Sequence, residues 1–263
     1  MTFSAAHPLI EIDGRPATEE GLRFRALDHY GHFTAMQVRD GRVRGLALHL
    51  ARLDSATREM FGAGLDGERV RALLRHALDG VRDASARVHV QWPEAAADAT
   101  IMVTVRPPAD PVEARPVALM SVPYRRTAPH LKRIGDFGQV HHGRLAVRAG
   151  YDSALLTGDG GVVAEGAVAN ICFWDGTSLV WPDAPVLVGI TMAVLESRLP
   201  AAGLPSVRRE VTLAHLPGFR AAFVTNSRGI APVSRIDATE FPGEPGLLKT
   251  VTEVYEAVEG DLL

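Results

Sequence analysis

The chain has 263 residues, 46% hydrophobic and 22% charged, which suits one large or two modest globular domains with a sizeable core. Lys+Arg number 28 against 31 Asp+Glu, a net charge of −3, and no basic run is interleaved with aromatics, so neither nucleic acid nor a membrane surface is an expected partner. No stretch reaches the roughly 18 apolar residues of a membrane span. The start, from Met1 to Pro8, has no basic segment followed by an apolar one, so no signal peptide is expected and the location is read as cytoplasmic. The single cysteine, Cys172, excludes an intrachain disulfide, and its apolar neighbours point to strand packing.

In chain order, Leu9 to Ile12 reads as a strand entering a turn at Asp13-Gly14. A hairpin follows, with Asp40-Gly41 between the alternating residues Ala35–Val38 and Arg42-Val43. Apolar residues at helical spacing predict a helix over Leu46 to Phe61, closed by a Gly-rich break, and another over Glu68 to Val81. Strands are predicted at Ala86–Trp92 and Thr100–Val105. The Pro-rich segment Arg106 to Glu113 reads as an interdomain linker, giving domains at 1–112 and 113–263. Beyond it, Val117–Pro123 reads as a strand and Phe137–Ala149 as a helix stopped by Gly150. Further strands are predicted at 153–156, 162–164, 170–174, 179–181, 207–211, 221–225 and 230–236, with helices at 191–198 and 247–258. The mixture is α+β, with a mainly β second half. Trp174 and Trp181 read as core, and His141-His142 point different ways on one helix, so no metal site is expected.

Lys132, in Pro-His-Leu-Lys-Arg-Ile-Gly, precedes a helix, where a lysine is ordinarily a solvated charge. Lysine is also the side chain that forms a Schiff base with an aldehyde. Glu165, in Ala-Glu-Gly-Ala-Val-Ala-Asn, is placed between two strands, where it is either a turn carboxylate or the partner of a protonated ring nitrogen. Gly189-Ile190-Thr191 opens a helix with Thr191 as the expected N-cap, a geometry that serves capping or phosphate binding. Asn226 and Ser227, after a strand, add N–H groups and a hydroxyl. Arg52, in His-Leu-Ala-Arg-Leu, is either an exposed helix charge or a guanidinium for a phosphate. Arg87 and His89 share one face of their strand.

The order His-x-x-Arg-Leu, Lys, Glu-Gly-x-x-x-Asn, Gly-Ile-Thr and Asn-Ser-x-x-x-x-Pro-Val resembles the class IV aminotransferases of fold type IV, from about Asp28 to Asp237. That family includes branched-chain aminotransferase, D-amino acid transaminase and aminodeoxychorismate lyase. The resemblance implies a small N-terminal α/β domain and a larger β-rich pseudo-barrel domain, a homodimer, and pyridoxal 5′-phosphate as cofactor. It makes Lys132 the Schiff-base lysine and Glu165 the partner of the pyridine nitrogen, with Arg52, Ile190, Thr191 and Ser227 at the phosphate-binding positions and the adjoining Gly189 and Asn226 expected to bind the cofactor with them. Asn170 matches the Asn of the Glu-Gly motif. Tyr30 and Phe33 match the loop that faces substrate, and Arg87 or His89 would meet a substrate carboxylate.

The chain departs from the family in the substrate-facing residues. Phe137 stands where branched-chain aminotransferase has Tyr, Gly135 where the lyase and D-amino acid enzymes have Asn, and Phe33-Thr34-Ala35 where Phe-Glu-[Thr/Gly] is usual. The resemblance implies transamination between an amino acid or amine and a 2-oxo acid. A lyase of the aminodeoxychorismate type and a non-catalytic cofactor-fold protein are the alternatives.

Overall fold

The computed structural model describes residues 8–94, 96–109, 115–244 and 246–263. The start of the chain, half of the expected linker and the boundary expected at 112/113 lie outside the described residues. The chain divides into two compact units, one of Met1–Ala109, Leu131–Gly135 and Glu259–Leu263, the other of Asp110–His130 and Asp136–Val258.

The first unit contains β1 (Leu9–Ile12), β2 (Arg15–Pro16), α1 (Glu19–Leu27), β3 (Gly31–Val38), β4 (Arg42–Val43), α2 (Leu46–Phe61), α3 (Gly67–Leu78), β5 (Ala84–Gln91) and β6 (Thr100–Arg106). Both predicted hairpin turns carry two residues with positive φ, Asp13 and Gly14 at 49° and 75°, Asp40 and Gly41 at 51° and 72°. That backbone matches the twist of the flanking strands. Helix α3 ends at Leu78, three residues short of the predicted Val81, because Asp79 turns left-handed and its N–H bonds to the Arg75 carbonyl. Helix α1 was not expected. Its only buried residue is Arg25, so it has no apolar stripe to read, and Thr18 caps it by accepting from the Gly21 N–H.

The sheet runs β2-β1-β6-β5-β3 and is antiparallel throughout. Alternation along β5 and β6 turns Val88, Val90, Ile101, Val103 and Val105 into one core with Leu46 and Leu53 of α2 and Val70 and Leu74 of α3. Ser85, Arg87 and His89 therefore stand on the sheet's other face. The segment Leu131–Gly135 lies along the free edge of β3. The Phe33 N–H donates to the Lys132 carbonyl and the Ile134 N–H to the Gly31 carbonyl, both at 2.9 Å.

The second unit contains β7 (Val117–Pro123), α4 (Phe137–Arg148), β8 (Ser153–Thr157), β9 (Val163–Gly166), β10 (Asn170–Trp174), β11 (Leu179–Pro182), α5 (Ile190–Arg198), β12 (Ser206–Arg209), β13 (Ala221–Asn226), β14 (Gly229–Ile236), β15 (Thr239–Glu240) and α6 (Leu247–Glu256). Its sheet runs β12-β11-β10-β13-β14-β7-β8-β9, with β15 on β14. Although β9 ends this path, it contacts β10 and β11, so the sheet curls back on itself as in the expected pseudo-barrel. Inside lie Leu155, Ile171, Phe173 and Val233. A second cluster, with Cys172, Trp181 and Phe223, packs under α5 and α6. Among the described residues, no helix is long and apolar enough to cross a membrane.

Candidate active site

In the first unit, Lys132 is half-buried and its Nζ stands 4.9 Å from the centre of the Phe33 ring. The β3–β5 register sets Phe33 opposite His89 and Ala35 opposite Arg87. The Phe33 and His89 rings stack at 5.3 Å, with the Arg87 guanidinium carbon 5.8 Å from the Phe33 ring. Burial, then Arg87, Arg25 and Arg106, push His89 down to about 4, so its imidazole is neutral at neutral pH. Burial and Arg106 lower the Arg87 pKa. The positive field on this face suits an anionic group. Tyr30 does not join these residues. Its hydroxyl donates to the Met60 carbonyl at 3.2 Å and its ring meets Phe61 edge-on.

The other face of β3 carries a buried polar cluster shared with α2. Arg52 is not an exposed helix charge. Its Nη2 donates to Thr34 Oγ1, and Thr34 Oγ1 lies 2.7 Å from His49 Nδ1. Thr34 and His49 are buried, at 0% and 4% exposure. Burial lowers Arg52 to about 10, which leaves it charged at neutral pH. Burial, then Arg52 and Lys132, take His49 down to about 3. His32 is lowered to about 4 by burial and Arg52, and its Nε2 lies 3.0 Å from Thr57 Oγ1.

In the second unit, Glu165 lies inside β9, not in a turn between strands, because its backbone pairs with Leu156 of β8. Its Oε1 accepts from Arg126 Nη1 at 3.0 Å. The same guanidinium donates to Asp136 Oδ2 at 2.9 Å and to the Pro129 carbonyl at 2.7 Å. Nothing in the sequence marks Arg126 as Glu165's partner, since the two are 39 residues apart.

Asn170 fastens the approach to α5. Its Nδ2 donates to the Leu187 carbonyl at 2.7 Å, and its Oδ1 accepts from the Gly189 N–H at 3.0 Å. A Cβ at Gly189 would fall 2.2 Å from that Oδ1, so no side chain fits there. Gly189, and not Thr191, is the N-cap of α5. Asn170 holds Gly189 in extended backbone one residue before the helix, and Thr191, already helical, donates its hydroxyl to the Asn226 carbonyl at 2.8 Å. No side chain caps this helix start, and a helix leaves its first N–H groups without intrahelical acceptors. Ser227 sits in the tight turn between β13 and β14, where Asn226 Oδ1 accepts from the Arg228 N–H. Ile190, Thr191, Asn226 and Asn170 are thus tied together. Two surface grooves of this unit, one around Phe223, Phe241 and Leu248 and one around Arg125, Thr157 and Leu213, involve none of these residues.

The family model of amino-transferase class IV matches residues 31–236. The chain belongs to the class IV aminotransferases. As a class IV aminotransferase it shares its fold with a hypothetical aminotransferase from Mycobacterium tuberculosis in its PLP-bound form (22% identity, 95% of this chain and 98% of that one, TM-score 0.81). It is likewise similar to a branched-chain aminotransferase from Thermoproteus uzoniensis solved with norvaline (21%, 94% and 93%, TM-score 0.82). A putative 4-amino-4-deoxychorismate lyase from Legionella pneumophila also matches (19%, 88% and 92%, TM-score 0.77). No curated protein matches the chain in sequence.

One signal missed in the sequence sharpens the view of Lys132. Of the 28 basic residues, only Lys132 and Lys249 are lysines. Lys249 lies outside the matched segment, exposed on α6 beside Glu253 at 3.8 Å. Lys132 is therefore the only lysine in the matched segment. Each unit by itself offers a donor that suits the phosphate of pyridoxal phosphate: in the first, a buried Arg52 Nε with no hydrogen-bond partner among the described residues, and in the second, the uncapped start of α5.

Proposed function

We propose that this chain moves an amino group between an amino acid or amine and a 2-oxo acid, with pyridoxal 5′-phosphate carried on the Lys132 amine. The observation that carries the reading is that Lys132 is the only lysine in the segment matching the family. When bound, pyridoxal phosphate supplies an aldehyde for the amino group and a ring that accepts electrons. In this reading Lys132 Nζ takes the proton from the donor's α-carbon and would deliver it to the carbon of the cofactor's aldehyde group, the role of a positioned general base and acid. Glu165, held in direction by Arg126, sets a negative charge at the ring nitrogen. Arg52, Ile190, Thr191 and Ser227 supply the guanidinium, N–H and hydroxyl donors for the phosphate, and Gly189, Asn170 and Asn226 hold the start of α5 in shape. Phe33, Arg87 and His89 face the substrate, with Arg87 the cation for its carboxylate and neutral His89 a hydrogen-bonding neighbour. Tyr30, engaged with Met60, has the weaker claim to that face.

The Mycobacterium tuberculosis protein has also been solved in an alpha-ketoglutarate and PMP bound form, which supports a 2-oxo acid as acceptor here. A homodimer is part of the same reading, supported by exposed Phe137, Val140 and Val147 on α4 and Val168 beyond β9. So is a cytoplasmic setting, in keeping with one free thiol at Cys172. The Legionella likeness keeps a lyase in view, but Gly135 replaces the Asn of that type. The test is a panel of L- and D-amino acids and amines with 2-oxo acids, read as transferred amino group, alongside an assay for p-aminobenzoate. Transfer without p-aminobenzoate supports the reading. p-Aminobenzoate with no transfer replaces it with the lyase.

A further inference from the structure

The departure at Phe33-Thr34-Ala35 sits against Arg52. In the family pattern the middle residue is a carboxylate, and here it is a threonine whose Oγ1 receives an N–H from Arg52 Nη2 and lies 2.7 Å from His49 Nδ1. Three features make this more than packing. Thr34 and His49 are almost wholly buried, so neither oxygen nor ring nitrogen has water as an easy substitute. His49 stands one helical turn before Arg52 on α2, so the strand and the helix together fix where the guanidinium points. Arg52 Nε is buried with no hydrogen-bond partner among the described residues. A buried charged donor left open is costly unless something else supplies an acceptor.

We propose that Thr34 and His49 form a hydrogen-bond relay that aims the Arg52 guanidinium, uncompensated by any carboxylate on Thr34's position, at the phosphate of the bound cofactor. Arg52 donates to Thr34 Oγ1, the Thr34 hydroxyl donates to His49 Nδ1, and neutral His49 carries its proton on Nε2. A carboxylate at residue 34 would cancel the charge on Arg52. The neutral relay orients the guanidinium and leaves its full charge for an anion. Thr34 and His49 are positioning residues that touch neither substrate nor cofactor. The inference rests on the assignment of Arg52 to the phosphate in the proposed function.

The experiment titrates purified protein separately with pyridoxal 5′-phosphate and with pyridoxal, which lacks the phosphate, and reads bound cofactor by absorbance. It compares wild type with Thr34→Val, Thr34→Ser, His49→Leu and His49→Gln, each checked for folding by circular dichroism. Thr34→Val and His49→Leu should lose about ten- to a hundredfold in affinity for the phosphorylated probe, the scale of a misplaced charged hydrogen bond. Their affinity for pyridoxal should stay at the wild-type level. Thr34→Ser, which keeps the hydroxyl, and His49→Gln, which keeps an acceptor, should restore most of the preference for phosphate. If Thr34→Val and His49→Leu keep the wild-type preference, or lose both probes equally, the relay is wrong while the cofactor assignment stands. If wild type itself shows no preference for the phosphorylated probe, the assignment of Arg52 fails and the relay falls with it.

Discussion

Replacing Arg126 with methionine removes the cation between buried Glu165 and partly buried Asp136 while keeping much of the side chain's apolar length. The Arg126 side chain is 3% exposed, Glu165 6% and Asp136 15%, so water screens the group poorly. One guanidinium makes bonds of 3.0 Å to Glu165, 2.9 Å to Asp136 and 2.7 Å to the Pro129 carbonyl. Breaking a buried pair by deleting one partner costs about 3–5 kcal/mol, because the remaining charge is stranded. At a urea m-value of about 2–3 kcal/mol/M, that moves the unfolding midpoint down by about 1–2.5 M. The assay is urea unfolding followed by circular dichroism on Arg126→Met, Glu165→Gln and the double variant. A glutamine at 165 no longer needs the cation, so the double variant should cost less than the two single changes together, by about 1–3 kcal/mol. A loss under about 1 kcal/mol for Arg126→Met, below the range for a broken buried pair, would refute the reasoning. So would strict additivity in the double variant.

Gly189→Ala puts a methyl 2.2 Å from Asn170 Oδ1 and must break at least one of that residue's two bonds. It should cost about 1–3 kcal/mol in thermal unfolding and weaken binding of pyridoxal 5′-phosphate. Acid should destabilise the fold through His32 and His49, held neutral with pKa values near 4 and 3 against 6.5 in the unfolded chain. The unfolded state binds more protons below pH 6.5, so stability is flat above about 7 and falls as the pH drops toward 3–4. Each histidine then contributes a loss of about 2 kcal/mol by pH 5. Melting temperature against pH measures this, and His49→Gln should flatten the slope.

Most of the fold was legible because its elements advertise themselves. Helix α2 runs over Leu46–Phe61 as its apolar spacing predicts, and β7, β10 and the hairpin at Asp40-Gly41 fall where alternation and turn residues put them. Helix α1 escaped because it buries little beyond Arg25, and propensity without an apolar stripe is a weak signal. The N-cap of α5 was misplaced by one turn chemistry mistaken for another. Thr191 has the right side chain for a cap, but Asn170, nineteen residues earlier, fixes Gly189 in that position instead. The candidate site divides the same way. Lys132, Glu165, Asn170 and Thr191 stand in a recognisable order along the chain. Arg126 beside Glu165, and Thr34 and His49 beside Arg52, make contacts that only strand register and helix placement create, and no local spacing encodes them.

The measurement that bears most directly on the central claim is borohydride reduction of the protein loaded with pyridoxal 5′-phosphate, followed by mass mapping of the modified peptide. Reduction fixes the cofactor covalently to the amine that holds it, and the chain offers only Lys132 and Lys249. The account predicts the added mass on the Lys132 peptide, and its loss together with the cofactor's protein-bound absorbance in Lys132→Ala. A label confined to Lys249, or no label on a protein saturated with the cofactor, would contradict it.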